Sequence, residues 1–235
     1  MEQARNDPNE SQYKLHYESF KKLMMKPDTI LLDTRTPEQF CSGHIRNSIF
    51  VPNIPTFNVW CESLVPKNQD ILLICSPPET ETIAVIEKLI EAGFTKIIGY
   101  LDGGYKTWKD FENEEIVLQI CPPKNLIEEG AFENDSNQIL DVRKPDEWAC
   151  GVIANSKFLE LANLVGFLSK PELSSQNFEK AKTVYVLCGA GTRATMGASW
   201  LQKNGFTDVR VIQGGKKDLV ESGYVLVEKK DSQVE

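Results

Sequence analysis

Short, unbroken apolar runs recur along this chain: ILLD (30–33), ILLIC (71–75), KIIGYL (96–101), QILDV (138–142), TVYVLC (183–188) and DVRVI (208–212). Each is four to six residues long and rich in Ile, Val and Leu. TVYVLC in particular lacks the apolar–polar alternation of a strand with one wet face. Such runs predict strands buried on both faces, as in a parallel sheet. Between them lie longer amphipathic stretches, ETETIAVIEKLIEAGF (79–94) and ATMGASWLQKNGF (194–206), which predict helices closed by Gly93 and Gly205 at their C′ positions. The segment PDEWACG (145–151) predicts a turn and short helix with Pro145 at N1. Strand and helix alternate, so the expected fold class is α/β: a parallel sheet with helices on both faces.

The pattern occurs twice. ILLDTRTPEQFCSGHI, ending at Ile45, matches QILDVRKPDEWACGVI, ending at Ile153, with Asp33, Arg35, Pro37 and Gly43 falling on Asp141, Arg143, Pro145 and Gly151. Later, Gly93-Phe94-Thr95 falls on Gly205-Phe206-Thr207. Two matches in the same order at nearly the same offset indicate a duplicated domain of roughly 110 residues, within ordinary domain size. Two copies of this length are tandem globular domains rather than a solenoid. The expected organisation is a disordered lead-in at 1–12, a first domain at 13–115 and a second at 120–235. The linker is expected within Glu112 to Lys124, which carries a charge run and then Pro122-Pro123.

Composition narrows the function classes. Hydrophobic residues make up 41% and charged residues 26% of 235, as in a globular protein with real cores. The net charge of −8 argues against nucleic acid or an anionic membrane as the main partner. No apolar run approaches the ~18 residues of a membrane span, and the polar N-terminus shows no secretory signal. The six cysteines, at 41, 61, 75, 121, 150 and 188, form no CxxC pair. A reducing, cytoplasmic location is therefore expected. The two histidines, His16 and His44, supply no metal-binding spacing, so a histidine-rich catalytic metal site is not expected.

The chemistry concentrates after TVYVLC. Cys188 ends a predicted buried strand and is followed by Gly189, Ala190, Gly191, Thr192 and Arg193, with a helix beginning near Ala194. Ligands of parallel sheets bind at the carboxyl ends of strands. Small residues let the backbone turn tightly, so that successive N–H groups form an anion nest at a helix N-terminus. A thiolate is favoured in such a place. Arg193 adds a fixed positive charge or braces the loop. A cysteine ending a buried strand is more often an inert packing residue. That bland alternative must also account for two glycines, an arginine five residues on and a helix start at one spot.

LDVRKPDEWACGVI followed by CGAGTRA resembles the rhodanese domain, with its D-x-R-x-P-E-E-F-x-x-G-H-I segment and C-x-x-G-x-R loop. The resemblance covers nearly the whole chain as two rhodanese domains in tandem. It implies a sulfurtransferase that uses no metal or organic cofactor. Cys188 would take a sulfane sulfur as a persulfide, held by residues 189–194, and pass it from a small-molecule or protein donor to a thiol acceptor. The six-residue Cys188–Arg193 loop is one residue shorter than the loops of related phosphatases on this fold, which favours sulfur over phosphate. Val152 replaces the histidine of the family segment. Gly189 stands where thiosulfate-using members often carry Arg, so the resemblance leaves the donor open between thiosulfate and a persulfide.

The first copy diverges after Cys75. Ser76-Pro77-Pro78-Glu79-Thr80-Glu81 loses two backbone N–H donors to proline, has Thr80 in place of the arginine, and brings two carboxylates. The carboxylates are expected to raise the Cys75 pKa; as helix-start residues they also have a structural explanation. The first copy is therefore expected to be a degenerate, inactive rhodanese domain. A degenerate first copy with Gly99–Trp108 (GYLDGGYKTW) before an intact second one also resembles the rhodanese pair fused to metallo-β-lactamase-type persulfide dioxygenases. That resemblance implies a persulfide dioxygenase as a partner, without its metal domain here. A non-catalytic rhodanese-like module that binds a partner or senses redox state through Cys188 is the alternative function. Asp33/Arg35 and Asp141/Arg143, common to both copies, are expected to be structural ion pairs. Trp108, Trp148 and Trp200 are expected in the core.

Overall fold

A computed structural model describes residues 10–170 and 178–229. The chain divides into two compact units: residues up to Thr36 with His44–Glu115, and Pro37–Gly43 with residues from Ile116 onward. Most of the lead-in expected at 1–12 lies outside the described residues; Glu10–Tyr13 forms one helical turn.

The first unit holds strands β1 (Lys14–Leu15), β2 (Thr29–Asp33), β3 (Ile49–Phe50), β4 (Asp70–Ile74) and β5 (Ile97–Leu101) in the order β1-β5-β4-β2-β3. The second holds β6 (Gln119–Cys121), β7 (Asn137–Asp141), β8 (Lys157–Phe158), β9 (Thr183–Leu187) and β10 (Val209–Ile212) in the order β6-β10-β9-β7-β8. Every strand pair is parallel. The two orders are the same order repeated, the topological counterpart of the sequence duplication. The short strands β1 and β6 have no apolar-run signature, and β6 lies inside the expected linker. Its register with β10 (Gln119 opposite Arg210, Cys121 opposite Ile212) makes it an edge strand of the second sheet.

Side chains alternate across these sheets. In the second, Ile139, Tyr185, Leu187 and Ile212 pack with Leu126 and Leu219, from the helices Pro123–Glu128 and Lys216–Glu221. The intervening Leu140, Val184 and Val186 are equally buried, so both faces are covered. In the first, Leu31, Leu72, Ile74 and Leu101 pack with Phe20 and Trp108, while Ile30, Leu32, Ile71 and Leu73 are buried on the other face. Burial on both faces is why these strands read as continuous apolar runs. Trp108, Trp148 and Trp200 are all core residues.

The helix Thr192–Lys203 ends with Gly205 at φ +85°, Phe206 N–H donating to Leu201 C=O and Gly205 N–H to Gln202 C=O. The helix Glu79–Glu91 ends in the same way, with Gly93 at φ +82°, Phe94 N–H on Leu89 C=O and Gly93 N–H on Ile90 C=O. Both are Schellman closures, and the Gly-Phe-Thr signature of the repeat is their sequence trace.

Candidate active site

β9 lies between β10 and β7, inside its sheet. The strand ends at Leu187, one residue earlier than the apolar run suggests, and Cys188 is the first residue past it. The Cys188 side chain is buried, at 1% exposure. Gly189 and Ala190 are exposed, and Gly191 turns the chain at φ +90°. The helix starts at Thr192, two residues earlier than the pattern indicates, so Thr192 and Arg193 form its first turn.

Gly191 uses both of its backbone groups. Its N–H donates to Cys188 Sγ at 3.0 Å, and its C=O accepts from Thr195 N–H at 2.9 Å and Thr195 Oγ1 at 3.1 Å. The backbone thus carries a donor to the sulfur while the new helix holds that donor in place. Thr192, Arg193 and the buried Ala194 precede the first i→i−4 bond, so their N–H groups have no partner within the helix. A positive φ is why residue 191 is glycine.

Arg193 meets a residue that the sequence pattern did not single out. Its Nη1 donates to Glu147 Oε2 at 2.6 Å and its Nη2 to Glu147 Oε1 at 2.8 Å. Lys144 N–H also donates to Glu147 Oε2, at 3.0 Å. The Arg193 hydrogen bonds, opposed by partial burial, hold the Glu147 carboxyl down to about 2. Arg193 thus joins the start of its helix to the segment that follows β7.

The short helix Pro145–Trp148 that carries Glu147 is itself anchored. Asp141 and Arg143 are buried and bidentate, with Arg143 Nε 2.9 Å from both Asp141 oxygens and Nη2 2.6 Å from Oδ2. The remaining donors of Arg143 reach Glu147 C=O at 3.2 Å and Gly151 C=O at 3.0 Å. The repeated Asp-x-Arg therefore fixes the loop after β7, and that loop positions the brace for Cys188. Lys216 Nζ donates to Cys150 C=O in the same segment.

Gly215 is a second residue without an advance signal beyond its Gly-Gly punctuation. A Cβ at this position would lie 1.9 Å from Gly189 O. Only glycine lets the end of β10 come this close to the loop. Gly215 N–H is taken by Asp218 Oδ2 at 2.9 Å.

The first copy has the same frame with a different lining. A three-residue loop again separates Cys75 from its helix, but Pro78 occupies the place of Gly191. A proline nitrogen has no hydrogen to give the sulfur. Cys75 Sγ instead accepts from Thr34 Oγ1 at 3.2 Å, where the second copy has Val142. Burial pushes the Cys75 thiol up to about 11, with hydrogen bonds from Thr34 and Thr82 opposing it and Asp33 and Glu81 adding to it. The direction is the expected one, but the main cause is burial rather than the two carboxylates: Glu79 is turned to Lys14 at 2.5 Å. The cavity beside Cys75, about 30 Å³, has room for one or two waters.

The rhodanese-like domain model matches twice, at residues 16–111 and 124–222. The chain belongs to the rhodanese family. It is 33% identical over 116 residues to the rhodanese-like/PpiC domain-containing protein 12 of Arabidopsis thaliana, covering 46% of this chain and 32% of that protein. It is 27% identical over 92 residues to the thiosulfate sulfurtransferase GlpE of Pseudomonas paraeruginosa, covering 39% and 72%. It spans about a third of the A. thaliana protein and about half of the senescence-associated protein DIN1 of Raphanus sativus. Among solved structures, a rhodanese-like domain protein from Staphylococcus aureus aligns at 25% identity and TM-score 0.39, over 48% of this chain and all of that one. A thiosulfate sulfurtransferase from Pseudomonas aeruginosa aligns at 17% and TM-score 0.41, over 93% and 44%. Among the described residues of this tandem rhodanese, no helix is long and apolar enough to cross a membrane.

Proposed function

We propose that the second rhodanese domain is a sulfurtransferase with Cys188 as its nucleophile, and that the first is non-catalytic. Family membership and the similarity to a thiosulfate sulfurtransferase support a sulfurtransferase-type function in general. The observation that carries the assignment to Cys188 is the Gly191 N–H on its sulfur, at a position where the first copy has a proline.

In this reading the Cys188 thiolate attacks the sulfane sulfur of a donor. With thiosulfate, the new Cys S–S bond forms as the S–S bond of the donor breaks, and sulfite leaves with the electron pair. With an alkyl persulfide, the leaving group is the alkyl thiolate. The Cys188 persulfide sits among the Gly191–Ala194 N–H groups, which offset its charge. An acceptor thiolate then attacks the outer sulfur, a new persulfide leaves, and Cys188 returns as thiolate. A separate persulfide dioxygenase, which would consume such a product, fits as partner chemistry.

Intact mass after incubation with thiosulfate or glutathione persulfide tests this. A 32-Da adduct, one sulfur by elementary mass, is expected on the wild type and absent from Cys188→Ser. An equal adduct on Cys188→Ser would remove Cys188 from the mechanism. No adduct with any donor would favour the binding or redox-sensing module.

A further inference from the structure

The Cys188 loop has one arginine within it, and that arginine is already engaged. Both terminal nitrogens of Arg193 that face Glu147 donate to its two oxygens. The pair lies directly beside the start of the loop: a Cβ on Gly189 would sit 2.8 Å from Arg193 Nη2 and 3.4 Å from Glu147 Oε1. Arg143, the next cation inward, is committed to Asp141. Lys216 keeps its charge, since its partner is the neutral Cys150 carbonyl, but it is not part of the Cys188 loop. An incoming donor therefore meets an ion pair, whose field falls off faster than that of a free cation, and meets its carboxylate at close range. The first copy supplies an independent observation. Glu147 corresponds to Gln39 and Arg193 to Thr80, so the copy that lacks the cradle lacks both partners of the pair.

We infer that Glu147 is a specificity-determining positioning residue. By holding Arg193 it withdraws the loop's cation from substrate, so that the Cys188 site takes alkyl persulfides, which are neutral or singly charged at the sulfur end, in preference to the thiosulfate dianion. This inference rests on the sulfurtransferase reading above and names its donor class. The favoured step is attack of the Cys188 thiolate on the outer sulfur of R–S–SH: a new S–S bond to Cys188 forms, the donor's own S–S bond breaks, and RS⁻ leaves with the electron pair while the proton stays on the transferred sulfur.

The test compares kcat/KM for glutathione persulfide and thiosulfate, with a common thiol acceptor, in the wild type, Glu147→Gln and Glu147→Asp. The wild type is expected to favour the persulfide by about tenfold or more, the equivalent of one charge interaction of ~1.4 kcal/mol. Glu147→Gln should narrow that ratio several-fold, by lowering KM for thiosulfate, and Glu147→Asp should restore it. A purely structural role would depress both donors alike and leave the ratio unmoved, which overturns the inference. A measurement on the wild type alone guards against a misfolded variant: with the cation withdrawn, kcat/KM for thiosulfate should stay flat or rise as salt goes from about 20 to 200 mM. A steep fall would mean that Arg193 is free to attract the dianion. If Cys188 takes sulfur from both donors yet the ratio is fixed, only the specificity inference fails; if it takes sulfur from neither, the sulfurtransferase reading fails with it.

Discussion

Glu147 and Arg193, 46 residues apart in the chain, close a two-bond ion pair beside the turn that carries Cys188. The pair links the helices that begin past the carboxyl ends of β7 and β9, so the geometry around the thiol depends on a segment far from it in sequence. Bidentate Arg–carboxylate bonds are directional as well as strong, which suits them to holding a loop.

The pair makes stability pH-dependent in a defined window. The Glu147 carboxyl lies near 2 in the folded chain against an ordinary 4.5. A depressed carboxyl stabilises the fold above its unfolded value, and that contribution is lost as pH falls through the folded value. With the Glu147 side chain 31% exposed, the contribution is expected to be modest, about 1–2 kcal/mol. Urea unfolding should show the wild type more stable than Glu147→Gln by that amount at pH 7, with the difference shrinking below pH 4.5 and gone near pH 2. A difference that persists at pH 2 would assign it to packing.

The two strand-end thiols should separate in reactivity. Cys75 is buried with its thiol pushed up to about 11. At pH 8 it is almost wholly protonated and should resist alkylation in the folded protein. Peptide mapping after brief iodoacetamide treatment is expected to find Cys75 unmodified, and Cys75→Ser should keep the sulfur adduct that Cys188→Ser loses. Rapid labelling of Cys75 would show that its thiol is not held in the protonated form.

Gly215→Ala should damage the site while sparing the fold. The added Cβ would meet Gly189 O at 1.9 Å, so the loop must move away from Cys188. The backbone itself is extended at this residue (φ −156°) and accepts alanine. Overpacking of this kind costs roughly 1–3 kcal/mol. Sulfur loading of Cys188 should fall about tenfold or more, with a far-UV circular dichroism spectrum like the wild type. Unchanged loading would show that the contact does not position the loop.

Arg143→Met should be the most destabilising of these changes. It leaves Asp141, with no exposed surface, as a buried charge without its partner. Breaking a buried pair in this way costs about 3–5 kcal/mol. It also frees the carbonyls of Glu147 and Gly151, so loading of Cys188 should fall as well. Thermal unfolding and adduct formation measured together would show both effects; a loss below 1 kcal/mol would place the pair in a wetter setting than its burial indicates.

Much of the fold was legible because burial on both faces writes itself into sequence as unbroken apolar runs. β2, β4, β7 and β9 carry that mark most plainly, whereas Arg210 interrupts β10. The edge strands β1 and β6 do not: they are two and three residues long, and only their pairing with β5 and β10 makes them strands. The helix closures were legible for a local reason, since an αL residue calls for glycine wherever it occurs.

The chain alone determined the duplication, the parallel α/β class, the Cys188 loop with its small residues, and the loss of N–H donors after Cys75. These follow from local chemistry: proline has no hydrogen, glycine has no side chain, and apolar strands seek cover. Only the tertiary structure decided what the loop's charge is paired with. Arg193 reads from sequence as either an added charge or a brace; the fold pairs it with Glu147 from the segment after β7, which Arg143 anchors in turn. Long-range pairing of this kind leaves no periodicity and no spacing to read, because it depends on where the sheet brings distant strand ends together.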